Sequence, residues 1–169
     1  MIERLIRDVP DFPKPGIVFK DITPLLADPA GLRAAVDQMQ AAVGAFEFDV
    51  IAGIESRGFL FGTTLADRLE KGFVPIRKPG KLPWKTASQT YDLEYGTDTL
   101  EIHVDAFREG ERVLLVDDLL ATGGTMGASV DLVRKVGGKP VGAAFVVELA
   151  FLNGRERLGD LPIASLISY

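Results

Sequence analysis

Arg112-Val113-Leu114-Leu115-Val116-Asp117-Asp118-Leu119-Leu120-Ala121-Thr122-Gly123-Gly124-Thr125 is the stretch that decides the fold. Val113 to Val116 is a continuous apolar run, the pattern of a strand buried on both faces in a parallel sheet. Thr125 to Val136 follows with helical spacing, so the loop between joins a strand's carboxyl end to a helix N-terminus. The first N–H groups of a helix have no intrahelical partner, and the helix dipole adds partial positive charge there. Gly123 and Gly124 lack Cβ, which lets the backbone take positive φ and come close to an anion. The loop therefore suits a phosphate. Asp117 and Asp118 would repel that phosphate unless they accept hydrogen bonds from hydroxyls of the same ligand or act near a metal. A phosphate and a diol together describe a sugar phosphate. The chain has no G-x-x-x-x-G-K-[ST] and no G-x-G-x-x-G after a strand, which argues against a P-loop or a dinucleotide site.

Outward from this stretch, buried strands alternate with helical patterns. A short amphipathic helix is predicted over 2–9, from apolar residues at 2, 5, 6 and 9. Residues 11–22 carry Pro13, Pro15 and Gly16, which force extended or turn conformations. A helix is predicted over 31–46, a strand over 48–54, a helix over 59–70 and a strand over 73–77. Leu82 to Thr90 is polar and reads as an irregular, mobile loop. Residues 91–95 and 100–104 alternate and read as a hairpin turning at Gly96-Thr97-Asp98. A strand over 141–148, a short helix near 153–158 and a final strand over 163–168 complete the chain. This order implies one α/β domain over 1–169, with a parallel sheet, an N-terminal hood over 1–30 and an inserted antiparallel hairpin within 81–104.

With 169 residues, 47% hydrophobic and 25% charged, the chain has the composition of a soluble globular domain. A net charge of −5 argues against broad nucleic-acid binding. No run approaches a membrane span, and the early acids of residues 1–8 do not form a secretory signal. With no cysteine, disulfides, thiolate chemistry and Cys-ligated zinc are excluded, and a cytoplasmic location is expected. His103, the single histidine, alternates with apolar neighbours and suits a structural or surface position.

Cations are concentrated at Arg77, Lys78, Lys81 and Lys85, which suits a small polyanion. Glu55-Ser56-Arg57-Gly58 again places small residues and an arginine between a buried strand and a helix, and a guanidinium can bind phosphate through two hydrogen bonds. In open α/β sheets ligands lie beyond the carboxyl ends of the strands, where these loops and Asp117 to Thr125 would meet.

The Asp117-to-Thr125 segment resembles the phosphoribosyl-pyrophosphate (PRPP) signature of the type I phosphoribosyltransferases. Asp11-Phe12-Pro13-x-Pro15-Gly16-x-x-Phe19-x-Asp21-Ile22, Glu55-Ser56-Arg57-Gly58-Phe59, Arg77-Lys78-x-Gly80-Lys81-Leu82-Pro83 and Tyr91-x-Leu93-Glu94-Tyr95-Gly96 extend the likeness to the adenine phosphoribosyltransferases. The resemblance implies a type I phosphoribosyltransferase fold, a central, mostly parallel sheet flanked by helices, and a homodimer. It implies transfer of the phosphoribosyl group from PRPP to adenine, giving AMP and pyrophosphate in purine salvage. On matching positions, Asp117 and Asp118 hold the ribose hydroxyls, and Ala121, Thr122, Gly123, Gly124 and Thr125 wrap the 5′-phosphate. Ser56 also binds PRPP; Arg57, Lys78 and Lys81 serve the pyrophosphate, and Val18, Phe19 and Lys20 serve adenine, with Lys20 standing where the family often has Arg. Glu94 and Arg57 are the expected catalytic residues. Mg²⁺ is the implied cofactor, held mainly by PRPP rather than by protein ligands, and neither nucleic acid nor membrane is an expected partner. The alternatives are a phosphoribosyltransferase for another base (xanthine or orotate), a non-catalytic PRPP-binding regulator, and a PRPP synthetase, the last disfavoured by the short chain.

Overall fold

The structure, a computed structural model, describes residues 2–93 and 96–169. The chain divides into two compact units, residues 1–38 and 39–169.

In the first unit a 3₁₀ helix over Ile2–Leu5 leads into β1 (Arg7–Pro10), which pairs antiparallel with β2 (Val18–Asp21). The helix expected over 2–9 is therefore only one turn long. Pro10 disfavours a helical conformation at Val9, and Val9 instead lies opposite Phe19 on the neighbouring strand. Between the strands, the Asp11 carboxylate accepts a 2.8 Å hydrogen bond from the Gly16 amide, and Phe12–Pro13 is cis. Two helices follow, α1 (Thr23–Ala27) and α2 (Pro29–Ala42). The first has too few turns to leave a periodic signature. The second begins two residues before the expected Gly31, because Pro29 at its start lacks only an N–H that no helical carbonyl would have accepted.

The second unit contains β3 (Val50–Ile54), α3 (Arg57–Arg68), β4 (Gly72–Ile76), β5 (Thr86–Leu93), β6 (Gly96–His103), β7 (Arg112–Leu120), α4 (Gly124–Lys135), β8 (Lys139–Glu148) and β9 (Ile163–Ser168). Short 3₁₀ helices at Ala150–Leu152 and Gly154–Leu158 link β8 to β9. A five-stranded parallel sheet has the order β4-β3-β7-β8-β9. Val50 and Ala52 lie beside Val113 and Leu115 in register, so their side chains share a face. That face forms a core with Met126, Val130 and Val133 of α4 and with Leu100 and Ile102 of β6. On the other face, the aromatic ring of Phe73 fills the space that a Cβ at Gly53 or at Gly62 of α3 would need.

The hairpin departs from expectation in two ways. Thr86 to Thr90, expected to be irregular, is the first half of β5, with Ala87 and Tyr91 packed against the core. Its Thr and Tyr residues suit a half-buried pleated surface. The turn does not fall at Gly96-Thr97-Asp98, which lie in β6 opposite Leu93, Asp92 and Tyr91.

Chain direction in the sheet creates the crevice. From β3 the chain moves outward to β4, whereas from β7 it moves the other way to β8, so β3 and β7 flank a topological switch point. Pairing of β3 with β7 ends at Gly53 and Val116. Beyond it, β7 continues beside β8 alone, through Asp117 opposite Phe145 to Leu120 opposite Glu148. The acid pair therefore lies inside an extended strand rather than after its end. On the side that β3 has left, the strand is open.

Candidate functional site

A cleft of about 370 Å³ fills this opening. Of the sequence-predicted residues, Ser56, Arg57, Lys78, Asp117, Asp118 and Ala121 to Thr125 all line it. Lys81 does not; it is exposed, and its backbone carbonyl accepts a 3.3 Å hydrogen bond from Arg77 Nη1. Glu94 lies outside the described residues. Val18, Phe19 and Lys20 are on β2 of the N-terminal unit. Phe19 there meets the Phe12 ring edge-on at 5.2 Å, and Lys20 Nζ is 2.6 Å from Asp8 Oδ1.

The floor of the cleft is set by glycine. α3 comes so close to β7 that a Cβ on Gly58 would lie 2.7 Å from the Val116 carbonyl oxygen and 3.0 Å from Asp117 Oδ1. Asp117 keeps part of its surface open, yet its carboxyl group is packed against that turn. Burial, then the neighbouring Asp118 charge, push the Asp117 carboxyl well above its ordinary value. Asp118 is itself buried, and its Oδ2 accepts a 2.5 Å bond from Arg57 Nε. The loops after β3 and β7 are thus tied together across the crevice.

The cradle is set by backbone packing. Gly123 caps α4 with φ +83°, a conformation open to glycine at little cost. The Gly123 amide oxygen takes the Gly127 N–H at 2.8 Å as the first helical bond, which leaves the N–H groups of Gly124, Thr125 and Met126 without an intrahelical acceptor. Behind the loop, a Cβ on Gly123 would meet the Gly154 carbonyl oxygen at 2.4 Å, and a Cβ on Gly154 would meet the Ala121 carbonyl oxygen at 2.3 Å. Two stretches of backbone are therefore pressed together through their glycines. Arg155 secures the outer stretch by a two-pronged pair with the buried Glu148 carboxylate, at 2.6 Å through both Nε and Nη2.

The cation wall is set by charge. Glu55 Oε2 accepts the Lys78 backbone N–H at 2.9 Å and Arg77 Nε at 3.2 Å. Burial alone would raise the Glu55 carboxyl; these hydrogen bonds and the cations around it outweigh burial and hold it low. Lys78 extends its ammonium to Asp98, whose carboxylate also takes the Tyr91 hydroxyl at 3.2 Å. Glu55–Ser56 is cis.

Tyr91, Asp98 and Gly154 were not picked out from sequence as site residues. The Tyr91–Asp98 pair follows from the hairpin register, which an assumed turn at residues 96–98 conceals. Gly154 follows Asn153, which takes φ +53°, and that Asn-Gly pair was the available signal of a tight backbone feature.

The model of the phosphoribosyl transferase domain matches residues 22–159. Adenine phosphoribosyltransferase from Pseudothermotoga lettingae is 55% identical over 168 residues, covering 99% of each chain. The chain belongs to the adenine phosphoribosyltransferase family. The crystal structure of adenine phosphoribosyltransferase from Thermoanaerobacter pseudethanolicus superposes with a TM-score of 0.97 at 55% identity, over 99% of this chain and 98% of that one. The Saccharomyces cerevisiae enzyme, complexed with an imino-altritol bisphosphate and adenine, gives 0.90 at 40% identity, over 98% and 96%. The expected fold, a parallel sheet flanked by helices with an antiparallel hairpin, is that of this family.

Proposed function

We propose that this chain transfers the 5-phosphoribosyl group from PRPP to adenine, giving AMP and pyrophosphate. One observation carries the reading: a cleft at the sheet's switch point that sets an acid pair between a glycine phosphate cradle and a cationic wall. Those three parts correspond to the ribose diol, the 5′-phosphate and the diphosphate of one substrate. The yeast relative's complex with adenine and a bisphosphate supports the same pairing of ligands.

In this reading Asp117 and Asp118 accept hydrogen bonds from the ribose 2′ and 3′ hydroxyls. The N–H groups at the start of α4 that have no intrahelical acceptor, with Thr122 and Thr125, hold the 5′-phosphate. Ser56, Arg57 and Lys78 receive the diphosphate, and Lys81 joins them from the neighbouring loop. The bond from the anomeric carbon to the diphosphate oxygen breaks as adenine N9 bonds to that carbon. Negative charge grows on the diphosphate, where Arg57 and Lys78 stabilise it. Positive charge grows on the ribose ring, facing the acid pair.

Among the described residues no cluster of three or more metal-ligating side chains occurs. Two adjacent carboxylates nevertheless fit Mg²⁺, which takes oxygen ligands and is commonly held by one or two carboxylates together with substrate phosphates. Asp117 and Asp118 are the residues available to it. Bound to the donor, Mg²⁺ supplies charge neutralisation at the leaving diphosphate.

Glu94 is assigned the proton at adenine N9, and Val18, Phe19 and Lys20 of β2 the adenine ring and its hydrogen-bonding edge, the first thirty residues acting as a hood. These assignments rest on the matched motifs. A cytoplasmic homodimer is part of the same proposal. Among the described residues no helix is long and apolar enough to cross a membrane.

Side-by-side assays with adenine, guanine, xanthine and orotate test the reading, with AMP as the expected product and another nucleotide in its place as the outcome against it. Glu94→Gln is expected to lower kcat about a hundredfold or more while leaving the KM for PRPP nearly unchanged. Near-normal turnover would remove Glu94 from the mechanism.

A further inference from the structure

One cross-strand pair of the β5–β6 hairpin reaches both anion sites of the cleft. Tyr91 and Asp98 are directly opposite in register. The Asp98 carboxylate accepts hydrogen bonds from Lys78 Nζ and from the Tyr91 hydroxyl at 3.2 Å. The Tyr91 hydroxyl lies 3.2 Å from Thr125 Oγ1 as well. All four residues line the cleft.

A carboxylate is out of place among groups that gather an anion. It cancels charge the ligand would use and occupies the ammonium the ligand would reach. Lys78, with its side chain 41% exposed, could extend its flexible stem into water; Asp98, 30% exposed, holds it inside instead. The pair is thus buried enough to fix the lysine's position and open enough for a diphosphate to approach it. A diphosphate presents the same kind of oxygen acceptor, in greater number and with greater charge.

We propose that Asp98 is a positioning residue, a built-in substitute for the donor's diphosphate that keeps Lys78 in place and is displaced when PRPP or pyrophosphate binds. The inference rests on the assignment of Lys78 to the diphosphate made above. It makes Asp98 a determinant of donor affinity, because each binding event breaks one ion pair to form another.

The test uses the full chain in wild-type, Asp98→Asn, Lys78→Met and doubly substituted forms. Binding of magnesium pyrophosphate is measured by calorimetry, and the KM values for PRPP and adenine by initial rates. Asn keeps the shape of Asp without its charge. Asp98→Asn is expected to bind pyrophosphate about three- to fivefold more tightly, the range of a partly exposed ion pair. The KM for PRPP should fall in parallel, the KM for adenine should stay constant, and the gain should disappear when Lys78 is absent. A lost cross-strand contact that merely loosened the hairpin would not strengthen binding. Unchanged or weaker binding by Asp98→Asn overturns the proposal, as does a gain that survives Lys78→Met, which would make Asp98 a simple repulsive charge. If Lys78→Met alone leaves both ligands bound as before, the assignment of Lys78 has failed and the proposal falls with it. If Lys78→Met weakens binding but Asp98→Asn changes nothing, only the role of Asp98 is lost.

Discussion

The two sides of the cleft are held by different forces. On the cradle side, Ala121 to Gly124 keeps its shape because glycine backbone presses on glycine backbone, with Gly154 as the outer member. On the wall, Arg57 and Lys78 keep theirs because each is paired with an acid, Asp118 or Asp98. The cradle is a steric construction that exists whether or not a ligand is present. The wall is an electrostatic one, and in the proposed reading its partners are exchanged when the donor arrives. One side is preorganised, and the other is held in reserve by internal counter-charges.

The strongest way to break this contrast is to add one methyl group behind the cradle. In Gly154→Ala the new Cβ would stand 2.3 Å from the Ala121 carbonyl oxygen and 3.0 Å from the Leu120 side chain, so the backbone itself must move. Overpacking of this kind costs about 1–3 kcal/mol, with the displaced atoms belonging to the loop proposed to hold the phosphate. We expect the KM for PRPP to rise more than about tenfold, the KM for adenine to change little, and the melting temperature to fall. The loss should persist at every ionic strength, since salt does not relieve a steric clash. A variant with wild-type donor KM would show that the 3₁₀ segment does not shape the cradle.

On the wall, Arg57→Met is expected to weaken PRPP binding about tenfold, the scale of a lost charge-assisted contact. Here salt is the discriminating variable. Arg57 has a side chain 47% exposed, so its attraction for a phosphate is partly screened as ionic strength rises. The difference between wild type and Arg57→Met should therefore narrow in high salt, whereas that between wild type and Gly154→Ala should not. Parallel salt profiles for the two variants would erase the distinction between the sides.

The same contrast explains how much of the molecule could be read from its sequence. The cradle was legible because its cause is local: an apolar strand, two glycines and a helix follow one another within fifteen residues or so. The sheet was legible for the same reason, each buried strand declaring itself by composition. The wall was only half legible. Arg57 and Lys78 were visible as cations, but their partners stand 61 and 20 positions away, and no local pattern links them. Asp98 was further concealed by a turn assigned to Gly96-Thr97-Asp98, since shifting a hairpin's register changes which residues face each other. The helix expected at residues 2–9 failed for a nearer reason: Pro10 disfavours helix at Val9, and β1 pairs with β2 a few residues on.

Asp117 lies where the two sides meet, and it offers the subtlest test. Burial, reinforced by the Asp118 charge, raises its carboxyl, so a proton is retained to higher pH than by an ordinary Asp. In the proposed reading, ribose hydroxyls donate to this carboxylate, favour its ionised form and draw the value down again. The sign follows. A group whose affinity for a proton falls on binding releases that proton, so donor affinity should increase as pH rises through the donor-free value and level off above it. Below that range the affinity should decline by up to about tenfold per pH unit for one linked proton. Calorimetry of PRPP binding in buffers of different ionisation enthalpy reads the release directly. Flat affinity with no release, at a pH where donor-free Asp117 is protonated, would mean that Asp117 stays protonated in the complex and gives a hydrogen bond rather than accepting one. It would then belong with the fixed, uncharged cradle rather than with the exchangeable charges of the wall.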